Sequence, residues 1–323
     1  MRWKTGGGIA SAGLSAAADL VWAVRQGDYS DGEKESVREG SLELWSDQGH
    51  RLHSALLRRP NWRSLTSSLF SPDGSHLACL AQDPAELWLW RVSDGHCLAR
   101  VAGAQDGCGF SAQGRSLLAS RPGLLLEVDA SSGSLATHPL PEGFTLLAAN
   151  AGHRRCLVRG DREWTATYEL RHFDLETGRG HCLVAEARWI NLPAFLPGDG
   201  DKALFVAGSK VYGLDCEMGD ASNLEVCNDG SRAVLVQGDE VLVLELPSGQ
   251  VQQRRPYRWQ NHRLSGDGRR VLSVGANQPT VVWEADSGRV LHEGPLYSLG
   301  QLSYNGRRGL LQHFPDSMDY WDF

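Results

Sequence analysis

The chain has 323 residues, 41% of them hydrophobic and 22% charged, and its formal net charge is −7. These proportions are typical of a soluble globular protein, and the acidic balance argues against nucleic-acid binding through a global positive field. Because no apolar stretch approaches the length of a membrane span, we expect a cytoplasmic protein without membrane insertion. The seven cysteines have no C-x-x-C spacing, which favours a reducing compartment over disulfides or zinc.

The chain contains eight short apolar runs. Each run ends in a bulky residue, and in most copies an acidic residue follows it. Their endings lie 30 to 45 residues apart, close to the period of about 40–45 expected for one propeller blade. Strands repeated at this interval bury their faces by stacking on neighbours, and a ring leaves few exposed edges. The endings are Trp45-Ser46, Trp90-Arg91, Val128-Asp129, Phe173-Asp174, Leu214-Asp215, Leu244-Glu245, Trp283-Glu284 and Trp321-Asp322.

The clearest copy of the repeat covers residues 65–103 and predicts four strands. The first two strands are separated by Ser71-Pro72-Asp73-Gly74, and the last two by Ser93-Asp94-Gly95. Proline at the second position of a turn followed by Asp-Gly reverses the chain. Residues 11–17 and 20–24 match the first two strands of this unit, so we assign the N-terminal segment to the fold.

The polarity of the strands predicts how they are layered. Third strands such as residues 240–244 are apolar on both faces, as expected between neighbouring blades, whereas fourth strands such as residues 250–254 are polar and suit an outer edge. We therefore predict an all-β protein, a single β-propeller domain over residues 1–323 with four-stranded antiparallel blades. Eight blades are expected, or seven if one unit is irregular.

Two units of the repeat are incomplete. The unit ending at Leu214 has few residues before the next first strand, so we expect its fourth strand to be missing. The last unit stops at Phe323, directly after its third strand. We expect N- and C-terminal segments to close the ring, with residues 2–5 supplying the missing strand.

The chain resembles the WD-repeat (WD40-like) β-propeller family, in a divergent form common among bacterial repeat proteins. The resemblance rests on the turn at residues 70–74 and on tryptophans at the family's position, with acidic partners at Glu284 and Asp322. It departs in one respect, because Gly-His pairs precede fourth strands rather than first strands. The sequence therefore does not predict the family's histidine–aspartate network. The tryptophans are Trp45, Trp90, Trp283 and Trp321.

Several segments that enter first strands combine arginine with an aromatic residue. The family's architecture implies that these segments and the loops between second and third strands share one face, where partners usually bind. Tryptophan and arginine dominate binding energy at interfaces, so we predict a binding rim, here called the arginine–tryptophan rim. The alternative is a purely structural role, in which each residue only covers the groove between blades. The rim consists of Arg58, Arg59, Trp62, Arg63, Arg188, Trp189, Arg255, Tyr257, Arg258 and Trp259.

A long insertion at residues 26–40 joins the second and third strands of the first unit. Long loops on a rigid scaffold are often binding loops, so we predict partner contacts at Tyr29, Asp31 and Glu33. The corresponding loop of the fourth unit adds Trp164 as a further predicted contact.

Catalytic and metal-binding motifs are not evident: the sequence has no nucleophile elbow, no H-E-x-x-H and no phosphate-binding glycine loop. Asp83, Asp161 and Asp239 fall at or near turns, where stabilising the turn is the common role of aspartate. We expect a non-enzymatic scaffold or sensor subunit without cofactor or metal, a monomeric propeller that binds one or more proteins encoded nearby in the genome.

Two other functions stay open. One is a propeller hydrolase, lactonase or dehydrogenase, or a small-ligand binder, that uses the mouth of the central channel. The other is recognition of nucleic-acid phosphates by the arginines, which the acidic composition disfavours.

Overall fold

The computed structural model describes residues 2–4, 9–15, 19–26, 39–58, 65–82, 85–111, 113–150, 152, 154–162, 167–188, 190–195, 202–208, 210–214, 221–227, 230–258, 261–275, 278–297, 299–313 and 317–323. Over these residues the regular structure consists of 31 β-strands.

The strands of the first half of the chain are β1 (Arg2–Lys4), β2 (Ile9–Leu14), β3 (Leu20–Gln26), β4 (Glu39–Ser46), β5 (Arg51–Arg58), β6 (Leu65–Phe70), β7 (His76–Gln82), β8 (Ala85–Arg91), β9 (His96–Ala102), β10 (Asp106–Phe110), β11 (Ser116–Arg121), β12 (Leu124–Asp129), β13 (Leu135–Pro139), β14 (Phe144–Ala149), β15 (Arg155–Arg162) and β16 (Thr167–Asp174).

The strands of the second half are β17 (Arg179–Ala187), β18 (Ile190–Phe195), β19 (Ala203–Ala207), β20 (Lys210–Tyr212), β21 (Ser222–Val226), β22 (Arg232–Gln237), β23 (Glu240–Glu245), β24 (Val251–Pro256), β25 (Asn261–Leu264), β26 (Arg270–Gly275), β27 (Gln278–Glu284), β28 (Val290–Gly294), β29 (Leu299–Leu302), β30 (Arg308–His313) and β31 (Ser317–Asp322).

The strands form an all-β propeller with four-stranded antiparallel blades, as the sequence predicted. Seven sheets have four strands, in the orders β2-β3-β4-β5, β6-β7-β8-β9, β10-β11-β12-β13, β14-β15-β16-β17, β21-β22-β23-β24, β25-β26-β27-β28 and β1-β31-β30-β29. The expectation of eight such blades is therefore wrong. In the unit that ends at Leu214, β18, β19 and β20 form a three-stranded sheet, and the described residues contain no fourth strand for it.

The physical reason for the difference is the small number of residues in this unit. The sequence signal of an apolar run is present, but only residues 213–221 separate β20 from β21.

The hydrophobic core lies between neighbouring sheets. Leu117 of β11 packs in one cluster with Ala78 and Leu89 of the preceding blade, whereas the adjacent residue Leu118 packs in another with Val158 of the following blade. Because side chains alternate along a strand, both faces of the middle strands are buried. This explains why these strands are apolar without alternation, as the sequence predicted.

Turn chemistry sets the hairpin between β6 and β7. The hydroxyl of Ser71 donates to Asp73 at 2.6 Å and accepts from the backbone N–H of His76 at 2.9 Å. Gly74 completes the turn at φ 71°, in the left-handed region that favours glycine. The predicted reversal at residues 71–74 is confirmed.

The two ends of the chain meet in the last sheet. β1 pairs antiparallel with β31, and Arg2 lies opposite Asp319. Val21 and Ala23 of the first sheet share a core cluster with Leu310 and Tyr320 of the last. Within the described part of the chain, we find no helical segment with the length and hydropathy that a bilayer crossing requires.

Candidate functional site

The propeller has two ends with different connections. Because the strands of each blade are antiparallel, turns between first and second strands share one end with turns between third and fourth strands, here called the turn end. At this end the N–H of Asp267 donates to the carbonyl of Tyr304 in the next sheet at 2.8 Å. The opposite end, here called the loop end, carries the turns between second and third strands and the connections between sheets.

The described members of the arginine–tryptophan rim all lie at the loop end. Arg58 is the last residue of β5, Arg188 follows β17, and Tyr257 and Arg258 follow β24, which contains Arg255. The other rim residues and the predicted insertion-loop contacts lie outside the described residues. These are Arg59, Trp62, Arg63, Trp189 and Trp259, and Tyr29, Asp31, Glu33 and Trp164.

Tyr257 and Arg258 lie on a connection that is anchored to its own blade. The N–H of Tyr257 donates to the carbonyl of Asp239, in the turn between β22 and β23, at 2.6 Å. The Tyr257 side chain is 37% exposed, and its ring centroid lies 5.9 Å from that of His262. The backbone is thus held in place while the Tyr257 ring and the Arg258 side chain contact solvent.

Two of the rim arginines are available for a partner. Arg188 and Arg258 are exposed, and neither forms a hydrogen bond or ion pair with any other residue that the structure describes. A guanidinium in this state can bind a carboxylate in bidentate fashion without first breaking an internal contact.

Arg255 is held differently, although it is only two residues before Tyr257. Its guanidinium lies over the Trp283 ring, 5.0 Å from the centroid, and donates to the Gly288 carbonyl at 2.9 Å. Burial lowers the pKa of Arg255 below its usual range. The side chain therefore joins two neighbouring blades and is not freely exposed on the rim.

A polar network that sequence reasoning missed crosses the sheet below Tyr257. The Nδ1 atom of His262, in β25, lies 2.9 Å from the hydroxyl oxygen of Ser273. The indole N–H of Trp283 donates to the same hydroxyl oxygen at 2.9 Å. All three side chains are buried. The signal that could have found it is a histidine near the start of a first strand, with serine and tryptophan in the next two strands.

A cavity of about 650 Å³ opens at the turn end, where five first strands meet around the axis. The strands are β25, β29, β2, β6 and β10. Four of its lining residues are aromatic, namely Trp22, Phe70, Phe110 and Tyr304. No residue of the predicted rim or of the predicted insertion-loop contacts lies among the lining residues of this cavity.

The described nucleophilic and ligating side chains do not converge on a centre. No group of three or more histidine, cysteine or acidic residues among the described residues has a geometry that would hold a metal ion. None of the cysteines whose side chains the structure describes forms a disulfide, and burial raises the pKa of Cys156 to about 12, so that this thiol stays protonated.

The comparisons with known proteins show the fold. No family model matches the chain, and no curated protein matches it. A solved structure of the Myceliophteria thermophila Cps50 (Swd1) β-propeller domain is similar with a TM-score of 0.62 at 12% identity, covering 100% of this chain and 98% of that one. A structure of Kuenenia stuttgartiensis hydrazine synthase has a TM-score of 0.58 at 9% identity, covering 99% and 97%. At these identities the likeness shows the fold alone, and the chain is a β-propeller.

Proposed function

We propose that this protein is a non-catalytic interaction propeller, a scaffold or sensor subunit of a multiprotein complex that binds a partner protein through the loop end. The observation that carries the proposal is the pair Tyr257 and Arg258, exposed side by side on an anchored connection, with Arg188 exposed at the same end. Tyrosine and arginine are among the residue types that dominate interface energy.

The exposed arginines of the rim favour a partner segment of opposite charge. Arg188 and Arg258 have no internal counter-charge among the described residues, although the chain as a whole is acidic. A partner segment that carries carboxylates would gain charge-assisted hydrogen bonds here. We therefore propose an acidic protein segment as the bound element and expect nucleic acid not to bind, because the net charge of −7 repels it.

The propeller would act as a monomer within a hetero-complex in the cytoplasm, its ring closed by the N- and C-terminal segments. Support for closure comes from the pairing of β1 with β31 and from the core shared by the first and last sheets. A closed ring supplies a rigid platform on which loops distant in sequence keep fixed positions. The partner is expected to be encoded near this protein in the genome.

The test is quantitative affinity purification from the native host. The combined variant R188A/Y257A/R258A should lose a specific partner by tenfold or more. Its matched control is R115A/R307A, which removes two exposed arginines at the turn end, and it should retain that partner. Equal recovery of all proteins by the two folded variants would contradict the proposal.

A further inference from the structure

A small groove lies between the outer strands of the first and second blades. Its volume is about 110 Å³, below the range of about 300–1,000 Å³ typical of drug-sized ligands, so it has room for roughly one side chain. One wall is formed by β4 and β5, and the other by β7, β8 and the turn that follows β8. The lining includes His53, Trp90, Arg91, Asp94 and Gly95.

The same chain contains an equivalent groove that one of its own side chains fills, between the sheets of β21–β24 and β25–β28. There the guanidinium of Arg255 lies over the Trp283 ring, 5.0 Å from the centroid, and donates to the Gly288 carbonyl at 2.9 Å. Trp283 has the repeat position of Trp90, and Gly288 has that of Gly95, in each case five residues further on. An arginine side chain therefore fits between two blades of this propeller where a tryptophan lies near the end of the third strand.

The two grooves are built alike at the turn glycine. A Cβ on Gly95 would meet the ring of His53 at 3.0 Å, and a Cβ on Gly288 would meet the side-chain amide of Gln253. Each glycine thus packs against the fourth strand of the preceding blade, and His53 and Gln253 hold matching positions in β5 and β24. The packing of the first blade on the second repeats that of the sixth unit on the seventh.

The two grooves differ in the residue that covers the tryptophan. Arg255 lies two residues after the position that the glycine touches, and the residue in the same register of β5 is Ala55. Alanine has no guanidinium to place over a ring. The groove beside Trp90 therefore lacks the side chain that fills the groove beside Trp283.

Two further contacts show that the covering residue matches the residue it covers. His292 lies against Trp321 of the next blade, with ring centroids 4.4 Å apart. Val101 shares a core cluster with Val128, the aliphatic residue at the same repeat position of the next blade. Tryptophan is thus covered by a guanidinium or an imidazole and valine by an aliphatic side chain, which favours a nitrogen-bearing group over Trp90.

The electrostatics of the groove suit a cation. Arg91, the arginine in its lining, is neutralised by an ion pair at 3.0 Å with the half-exposed carboxylate of Asp94. The indole N–H of Trp90 is buried, so an occupant would contact the carbon atoms of the ring. The face of a tryptophan ring and a backbone carbonyl such as that of Gly95 both carry negative partial charge, which a guanidinium complements.

We propose that the groove between the first two blades binds an arginine side chain of a partner protein. Its guanidinium lies over Trp90 and donates to the carbonyl of Gly95, as that of Arg255 does over Trp283 and at Gly288. The bound segment is therefore basic, in contrast to the acidic segment proposed for the loop end. None of the rim residues lines this groove, so binding at either place can fail while binding at the other succeeds.

The test is an NMR titration of the full chain with ¹⁵N-labelled tryptophan, in which each indole N–H gives one signal. W90L identifies the Trp90 signal by its loss, leucine being the residue that the repeat has at Leu244. The peptide Ac-Ala-Arg-Ala-NH2 should shift the Trp90 signal saturably. The same peptide with citrulline, which has the shape of arginine without its charge, and with leucine should each bind about fivefold more weakly or worse.

Two substitutions exchange the states of the two grooves. A55R supplies from within the chain the side chain that Arg255 supplies in the filled groove, so it should weaken binding of the arginine peptide at Trp90 by about tenfold or more. R255A, the matched control, opens the filled groove. The arginine peptide should then shift the Trp283 signal, which it leaves unmoved in the unmodified protein.

The proposal is overturned if the Trp90 signal shows no saturable shift, or if A55R folds and binds the arginine peptide unchanged. Equal or tighter binding of the leucine peptide would show that the groove takes an apolar side chain, and equal binding of the citrulline peptide would show that charge plays no part. Either result also overturns it. The comparison of the three peptides on the unmodified protein keeps the test decisive should A55R not fold.

Discussion

The guanidinium of Arg308, in the last sheet, donates to the carboxylate of Asp47, in the first sheet, at 3.2 Å and across 261 positions of sequence. It belongs to a repeated set of contacts. Arg232 forms the equivalent ion pair with Asp286 at 2.6 Å, again from the first residue of a second strand to the turn between the third and fourth strands of the next sheet. The contact between the last and first sheets therefore continues the pattern found between sequential sheets.

A double-mutant cycle on Asp47 and Arg308 measures this contact. The side chains are 22% and 34% exposed, so we expect a coupling free energy of about 0.5–1 kcal/mol that decreases in 1 M salt. Urea denaturation of D47A, R308A and the double variant gives the value. Additive effects of the two substitutions would show that the contact contributes nothing to stability.

Two glycines at the same repeat position should respond oppositely to alanine. A Cβ on Gly13 would lie 2.6 Å from the indole nitrogen of Trp22, a buried side chain, whereas one on Gly109 meets nothing within 4 Å. We expect G13A to destabilise by about 1–3 kcal/mol and G109A to be neutral or to stabilise by up to about 1 kcal/mol. The thermal unfolding midpoints of the two variants test this difference. A loss of stability in G109A equal to that in G13A would contradict the expectation that only Gly13 lacks space for a side chain.

The Ser273 hydroxyl should be a major contributor to the stability of its blade. S273A leaves the buried indole N–H of Trp283 without its partner, which costs about 1–3 kcal/mol. Thr280, in the same sheet, has a fully buried hydroxyl without a partner in the described structure, so T280V should be neutral or stabilising. Chemical denaturation of both variants checks the pair. Equal losses would mean that the network has no energetic role.

Acid stability should depend on Asp129. Hydrogen bonds from the hydroxyls of Ser131 and Ser132 and from the Ser132 N–H lower the pKa of Asp129 from 3.8 to about 2. A depressed pKa in the folded state contributes stability above pH 3.8 that is lost as the pH falls toward 2. The free energy of unfolding of D129N should therefore vary less between pH 4 and 2 than that of the unmodified protein. An equal pH dependence of the unfolding free energy in D129N and the unmodified protein would contradict this account. In S131A/S132A, which removes the two hydroxyl donors, an NMR titration should show the pKa of Asp129 returning toward 3.8.

The features that sequence predicted well are those encoded by a few adjacent residues. The reversal at Ser71–Gly74 needs only its own serine, aspartate and glycine, and the irregular unit before β21 is visible in the small number of residues between β20 and β21. Strand layering was equally visible, because burial on both faces removes the polar residues from a strand.

The features that sequence did not predict depend on contacts between sheets. Arg255 has the same local sequence character as Arg258, yet it folds back onto Trp283 and Gly288 of the next blade, so only the assembled structure distinguishes them. The cavity at the turn end likewise arises from strands spread over most of the chain, and no single segment signals it. Of the two blade counts expected from the sequence, eight is wrong and the structure has seven four-stranded blades, because the apolar run that ends at Leu214 belongs to the three-stranded sheet of β18, β19 and β20.

Site-specific photocrosslinking in the native host tests the central claim most directly. A photoreactive benzoyl-phenylalanine is placed at Tyr257, on the loop end, and separately at Tyr304, on the turn end, two tyrosines that are 37% and 44% exposed. The account predicts a crosslink to a specific partner protein from position 257 and none to that protein from position 304. A partner captured only from position 304, or from neither position under conditions where the complex is intact, would contradict it.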